Sequence, residues 1–151
     1  MSLLKKIDDD LIKALKAREQ DKVTLLRGLK SDIKYKNIEK GEELTDDDIV
    51  GVLSAAAKRR RDSIEQFRAG NRMDLVEKES TELELIRQYL PQQLSEDKLR
   101  EIIRESIRIT GADSPAKMGL VMKDLMPKVK GQADGKLVNQ LVRDLLSGGG
   151  N

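Results

Sequence analysis

The chain is predicted to be all-α, with an N-terminal four-helix bundle-like domain followed by a small three-helix C-terminal domain. Three observations predict this. Apolar residues recur at three- and four-residue spacing along nearly the whole chain, with no credible run of strict alternation that would make a strand. Charged residues make up 37% of the sequence and aromatic residues only 2%, as expected of helices that bury aliphatic stripes and solvate the rest. Ser, Thr, Asp, Gly and Pro stand at the ends of the periodic segments, where helices start and stop.

Leu4, Ile7, Leu11, Ile12 and Leu15 form the first stripe. A second helix begins after Asp21 with Val23, Leu26, Leu29 and Ile33, and the two should pair as a hairpin. Gly41 and the charged residues after it read as a loop. Thr45 is a natural N-cap for a long third helix, and Asp46, Asp47 and Asp48 suit its positive end. That helix carries Ile49, Val52, Leu53, Ala56, Ala57, Ile64 and Phe67 and stops near Gly70, a residue able to take the left-handed cap conformation. A fourth helix runs through Leu75, Val76, Leu83, Ile86 and Leu90.

Pro91 lacks an amide hydrogen and disfavours helical geometry in Leu90, so LPQQL ends the fourth helix and begins a joint. The domains are therefore placed at 1–91 and 92–147, with a disordered tail at 148–151, and the joint is the expected first site of proteolysis. Beyond it, Ser95 can cap a helix carrying Leu99, Ile102, Ile103 and Ile107, which Gly111 can terminate. Ser114 followed by Pro115 is a preferred start for the next helix, and Asp134 would cap the last. On that last helix Leu137, Val138, Leu141, Val142 and Leu145 share one face.

Composition removes much chemistry. Without cysteine there are no disulfides, thiolate nucleophiles or zinc-thiolate sites, and without histidine the usual general base and commonest metal ligand are missing. No stretch is a candidate membrane span, and MSLLKKIDDDLIK meets an acidic run at Asp8 in place of an apolar signal core, so the cytoplasm is the default location. The runs Asp8 to Asp10 and Asp46 to Asp48 are not metal sites, because consecutive helical residues diverge by about 100°. The GQADGK segment fails as a phosphate loop: its glycine spacing is one residue short, Leu137 replaces the hydroxyl and no strand precedes it. No cofactor is expected.

Two basic features remain. In KRRR, Lys58 to Arg61, two members can pair with Asp62 and Glu65, while Arg60 falls within the apolar stripe and should snorkel or find a buried carboxylate. Arg61, Arg68 and Arg72 extend this cluster as a secondary basic shoulder. The more specific feature is the connection between the last two helices, where Lys128, Lys130 and Lys136 ring Gly131 and Gly135, with Lys123 nearby. The net charge of +2 is too small for a general nucleic-acid binder, so any basic surface is local, and residues 115–136 hold five lysines against two aspartates. Met118, Met122 and Met126 on the same segment are read as core filling. Asn139 is expected to bond a neighbouring loop.

Across nearly the whole chain, from the N-terminal helical bundle through YLPQQLS to MGLVMKDLMPKVKGQADGKLVNQLV, the sequence resembles the GatB/YqeY family, as a stand-alone YqeY-type member. Its C-terminal part is also similar to the tail domain of the B subunit of tRNA-dependent (Asp/Glu) amidotransferases, sharing Gly119, Val121, Met122, Lys123, Gly131, Gln132, Ala133, Val138 and Asn139. It departs from that pattern at Asp134–Gly135, where Asn–Pro is common, and at Gln132, where stand-alone members often carry arginine. The resemblance implies a tRNA-related role without catalysis, because the cradle domain that activates the carboxylate has no counterpart here.

The leading expectation is a non-catalytic tRNA-binding or amidotransferase-associated module that holds folded RNA through its backbone, with tRNA and amidotransferase subunits as partners and no membrane. RNA contact is expected at Lys123, Lys128, Lys130, Gly131, Gly135 and Lys136. Tyr35, Phe67 and Tyr89 lie in predicted helices and cannot build a base-stacking platform. A helical protein-interaction adaptor ranks second. Carbon–nitrogen ligase activity with glutamine as amido-N-donor, as part of a larger complex, ranks third.

Overall fold

The computed structural model describes residues 2–148, and among them the chain forms seven α-helices and no strand. The tail expected at 148–151 lies outside the described residues except for Gly148. One compact unit ends at Leu90 and a second begins at Pro91. Among the described residues no helix is long and apolar enough to cross a membrane.

In the first unit, α1 (Leu3–Lys16) starts at Ser2, whose hydroxyl accepts the Lys5 N–H at 3.2 Å. It buries Ile7 and Ala14 but leaves Ile12 and Leu15 of the expected stripe exposed. Arg18, at φ 56°, turns the chain into α2 (Gln20–Lys40), which packs on α1 as the expected hairpin. This helix starts before Asp21, at Glu19, which makes no side-chain capping bond. Val23, Leu26, Leu29 and Ile33 face the core, and Gly41 closes the helix in the left-handed conformation at φ 76°.

Helix α3 (Asp46–Ala69) opens on a capping box: the Thr45 hydroxyl accepts the Asp48 N–H at 3.1 Å, and the Asp48 carboxylate accepts the Thr45 N–H at 2.9 Å. Lys40 adds an ion pair to the same carboxylate at 2.6 Å. Gly70 does end the helix, but at φ −85° it is not the left-handed residue; Asn71 is, at φ 55°. Asparagine is the non-glycine type that tolerates this region best, so the turn is made one position later than glycine chemistry alone indicates.

Helix α4 (Met73–Arg87) packs chiefly on α3 and stops earlier than the apolar spacing to Leu90 predicts. The Tyr89 and Leu90 N–H groups bond Ile86 and Arg87 carbonyls three residues back, so the helix tightens into a 3₁₀-type turn before Pro91. Tyr89 is buried in this turn, and its hydroxyl donates to Asp10 of α1 at 2.5 Å. Burial first, then the hydrogen bond to Asp10 and that carboxylate's charge, raise the tyrosine pKa far above its ordinary value and keep the proton in place for that bond. Arg60 is half-buried as its place in the stripe required; its Nε donates to Glu82 of α4 at 3.2 Å and its Nη1 to the Ala56 carbonyl at 3.0 Å. Lys58 pairs with Asp62 at 2.9 Å.

In the second unit, Ser95 caps α5 (Glu96–Thr110) by accepting the Lys98 N–H at 3.2 Å, and Gly111 ends it at φ 70°. Pro115–Lys117 forms a single 3₁₀ turn, and Ser114 before it makes no side-chain cap. Helix α6 (Met118–Val129) runs through Pro127, which the sequence reading did not anticipate. Pro127 has no N–H to give the Lys123 carbonyl four residues back, an interruption the helix meets only two residues before its end at Val129. Asp134 caps α7 (Gly135–Leu146) by accepting the Lys136 N–H at 3.3 Å. Leu99, Ile103, Val121, Leu125, Val138 and Val142 are fully buried between the three helices, and Met118, Met122 and Met126 pack against them as core filling.

The capping box makes part of the stability depend on acid pH. Asp48 is held below the ordinary aspartate value, to about 2, by the Lys40 ammonium first and the Thr45 N–H second. A depressed folded pKa means a contribution fully present above about pH 4 and lost as pH falls through about 2. Thr45→Ala should destabilise the protein by about 1 kcal/mol at neutral pH in urea denaturation. The stability gap between the native protein and Asp48→Asn should shrink across that acid window; a pH-independent gap would contradict the assignment.

Candidate nucleic-acid interface

The connection from α6 to α7 is a short, fixed turn. Lys130 leaves the helix at ψ 124°, Gly131 takes φ 77° and Gln132 returns its N–H to the Val129 carbonyl at 2.9 Å. Only glycine adopts Gly131's backbone without the cost of crowding a side chain against the carbonyl, roughly 1–2 kcal/mol. Gly135 has no such need: a Cβ there would meet nothing within 4 Å.

Residues 91–94 and the turn are laced together. The Leu94 N–H donates to the Gln132 carbonyl at 2.8 Å, and Gln93 Nε2 donates to the Gly131 carbonyl at 2.7 Å and to the Pro91 carbonyl at 2.9 Å. Gln132 Nε2 returns a bond to the Gln92 carbonyl at 3.3 Å. The joint, expected to be contacted and the first site of proteolysis, is thus held by the second unit's own structure, and the carbonyls of Gly131 and Gln132 are occupied by protein donors. A cleft of about 320 Å³ lies here, lined by Gln92, Gln93, Leu94, Ser95, Lys98 and Gln132.

The lysines fall into two kinds. Lys123 and Lys130 are exposed and make no ion pair among the described residues, and Lys136 is exposed in the first turn of α7. Lys128 is also exposed but pairs with Asp124 at 3.0 Å. The same carboxylate oxygen accepts from the buried Ser106 hydroxyl at 2.7 Å; that bond first, and Lys128 second, hold Asp124 below the ordinary aspartate range. Lys128 therefore belongs partly to the packing of α6 on α5. Asn139 bonds the Gly135 carbonyl of its own helix at 3.0 Å in place of a neighbouring loop.

The arginine shoulder belongs to the first unit. Arg68 is exposed near the end of α3, Arg61 is half-buried, and Arg72 meets Asp74 through two nitrogens at 3.2 and 3.0 Å. The two aspartate runs are divided among separate partners: Asp8 with Lys30, Asp9 with Lys5, Asp10 with Tyr89 and Asp48 with Lys40. Sequence reasoning missed Gln92, Gln93 and Lys98. The two glutamines after Pro91 were the available signal, but nothing local to them shows that their amides and carbonyls meet a turn about forty residues later.

The model of the family described as Yqey-like protein matches residues 4–146, and the chain belongs to that family. An uncharacterized protein of Schizosaccharomyces pombe is 38% identical over 85 residues, 56% of this chain and 69% of the relative. Altered inheritance of mitochondria protein 41, mitochondrial, of Lachancea thermotolerans is 43% identical over 84 residues, 55% of this chain and 45% of the relative. The Saccharomyces cerevisiae protein of the same name is 39% identical over 93 residues, 61% of this chain and 49% of the relative. The matched stretch spans about half the length of these two mitochondrial relatives.

The lacing predicts unusual protection for a segment outside any helix. The Leu94 amide should exchange with solvent as slowly as helical amides of α5, measured by native-state hydrogen exchange. Gln93→Ala should speed it several-fold, and Gly131→Ala should do the same while costing roughly 1–2 kcal/mol in stability. Fast exchange in the unaltered protein would show that the segment opens freely.

Proposed function

We propose that this member of the Yqey-like family is a non-catalytic tRNA-binding or tRNA-amidotransferase-associated module that grips folded RNA with its C-terminal unit. The observation that carries the reading is the Lys130–Gly131–Gln132 turn, fixed in one conformation by the Gln92 to Leu94 segment and flanked by the exposed Lys123, Lys130 and Lys136. A preformed cationic turn loses little conformational freedom when it meets a phosphate, so less of the binding energy is spent on ordering it. All three aromatic residues precede Pro91, so the C-terminal unit has none on which to stack bases. Recognition by backbone charge, 2′-hydroxyls and shape follows.

In this reading amide transfer belongs to a partner: the chain carries no histidine or cysteine, and it contributes placement of the tRNA. A cytoplasmic setting is part of the proposal, whereas the two larger yeast relatives bear mitochondrial names.

Filter binding with tRNA across a salt series tests it. Each lysine that meets a phosphate should contribute about 0.7–0.9 to the slope of log affinity against log salt, so Lys123→Ala/Lys130→Ala/Lys136→Ala should reduce the slope by roughly 2–2.7 with helical content intact. Lys128→Ala should change it less, because Asp124 already answers that charge. A folded triple variant with unchanged affinity and slope would exclude this surface and direct attention to Arg61, Arg68 and Arg72.

A further inference from the structure

One face of α2 is left uncovered by the N-terminal bundle. Arg27, Ser31, Lys34 and Ile38 recur at i, i+4, i+7 and i+11, the spacing of a single helix face, and all four are exposed. The first three line a groove of about 600 Å³ whose apolar lining comes from Leu4 of α1, Ile33 of α2, Leu44 of the α2–α3 connection and Ile49 of α3. Ile38 is 67% exposed and Tyr35, three residues before it, 73%. Isolated exposed apolar residues are ordinary, but these two directly follow Lys34 and Asn37, which line the groove.

The charges within the groove are of two sorts. Lys30 is answered by Asp8 at 2.7 Å, and Asp46 accepts the Leu3 N–H at 3.2 Å. Glu43 also lines the groove. Arg27 and Lys34 make no ion pair among the described residues. They stand seven residues apart on α2, about 10.5 Å along its axis, and any helix laid alongside repeats with that same period.

We propose that this groove docks an amphipathic helix of a partner protein, with aliphatic side chains against Leu4, Leu44 and Ile38 and carboxylates seven residues apart against Arg27 and Lys34. The face runs about 16 Å along α2, longer than a small ligand needs and matched to three turns of helix. A phosphate backbone would meet Arg27 and Lys34 but leave the apolar lining facing water, whereas an amphipathic helix covers both.

The test uses the full chain and two labelled alanine-based helical peptides of about eighteen residues. Both carry leucines at i, i+4 and i+7; one adds a glutamate pair seven residues apart, and its twin has lysines there. In fluorescence anisotropy the glutamate peptide should bind at least about tenfold more tightly than the lysine peptide, and Arg27→Glu/Lys34→Glu should reverse that preference. Ile38→Asp should weaken the glutamate peptide about tenfold. Thermal melts establish that the variants fold; if the double variant does not, Lys34→Glu alone decides, with the preference expected to fall at least about threefold. Equal binding of the two peptides, binding of neither, or a preference untouched by charge reversal would overturn the proposal. So would loss of tRNA affinity in Arg27→Glu/Lys34→Glu, which would make this an RNA surface, or a solution dimer abolished by Ile38→Asp, which would make a second copy the occupant.

Discussion

The constraint on which the structure depends is that its cores are built almost entirely from aliphatic side chains. With one phenylalanine, two tyrosines and no tryptophan or cysteine, the cores have little aromatic mass and no disulfide to anchor them. Each helix must therefore bury a narrow stripe of Leu, Ile, Val or Ala, and a shift in its ends would carry that stripe off the core. End definition consequently matters more than usual, and it is supplied by Ser2, Thr45, Ser95 and Asp134 at helix starts and by Gly41 and Gly111 at helix stops. Tyr89 is the buried aromatic exception, and it brings a hydroxyl that must be satisfied; Asp10 does so, joining the end of α4 to α1.

The same constraint explains the lacing in the C-terminal unit. Three short helices in about 55 residues bury little surface, so their connections add appreciably to a small total. Residues 91–94 contribute through their own backbone, giving the Leu94 N–H and Gln92 carbonyl partners on the α6–α7 turn. Gly131 makes this geometry accessible, because its positive φ is where a side chain would be crowded. A turn held to complete a small fold is also a turn held still for a ligand, and stability and preorganisation here have one physical origin.

Helix type and most caps were legible in the sequence because their causes are local: a stripe at 3.6 spacing, a hydroxyl before it, a glycine after it. Arg60 was legible for a related reason, since a cation inside an apolar stripe has to find a carboxylate, though only the fold identifies Glu82. What escaped depends on tertiary placement. The early end of α4, the passage of α6 through Pro127 and the left-handed turn at Asn71 each set a local preference against packing. The lysines of the candidate site could be read from the sequence, and Asp124 and Lys128 have the i,i+4 spacing of a helical pair, but only the fold brings Ser106 to the same carboxylate. The α2 groove was not legible: Tyr35 and Ile38 fall two and five residues after Ile33, off the buried stripe, but single exposed apolar residues are ordinary and only the fold places a groove on that helix.

Charge count locates neither surface. The chain has 29 basic and 27 acidic residues, and many cations meet a carboxylate on the same helix or a neighbouring one. What separates a candidate site from this background is the company of the unanswered cation. Lys130 stands on a turn whose polar backbone is already fixed, which suits a strongly hydrated anion that keeps part of its water. Arg27 and Lys34 stand beside aliphatic side chains, where a carboxylate gains from being desolvated only if apolar surface is buried with it. The first environment rewards a phosphate backbone and the second an amphipathic helix. A tethering role needs both kinds of contact in one chain, and the two can be altered separately because their residues lie in different compact units.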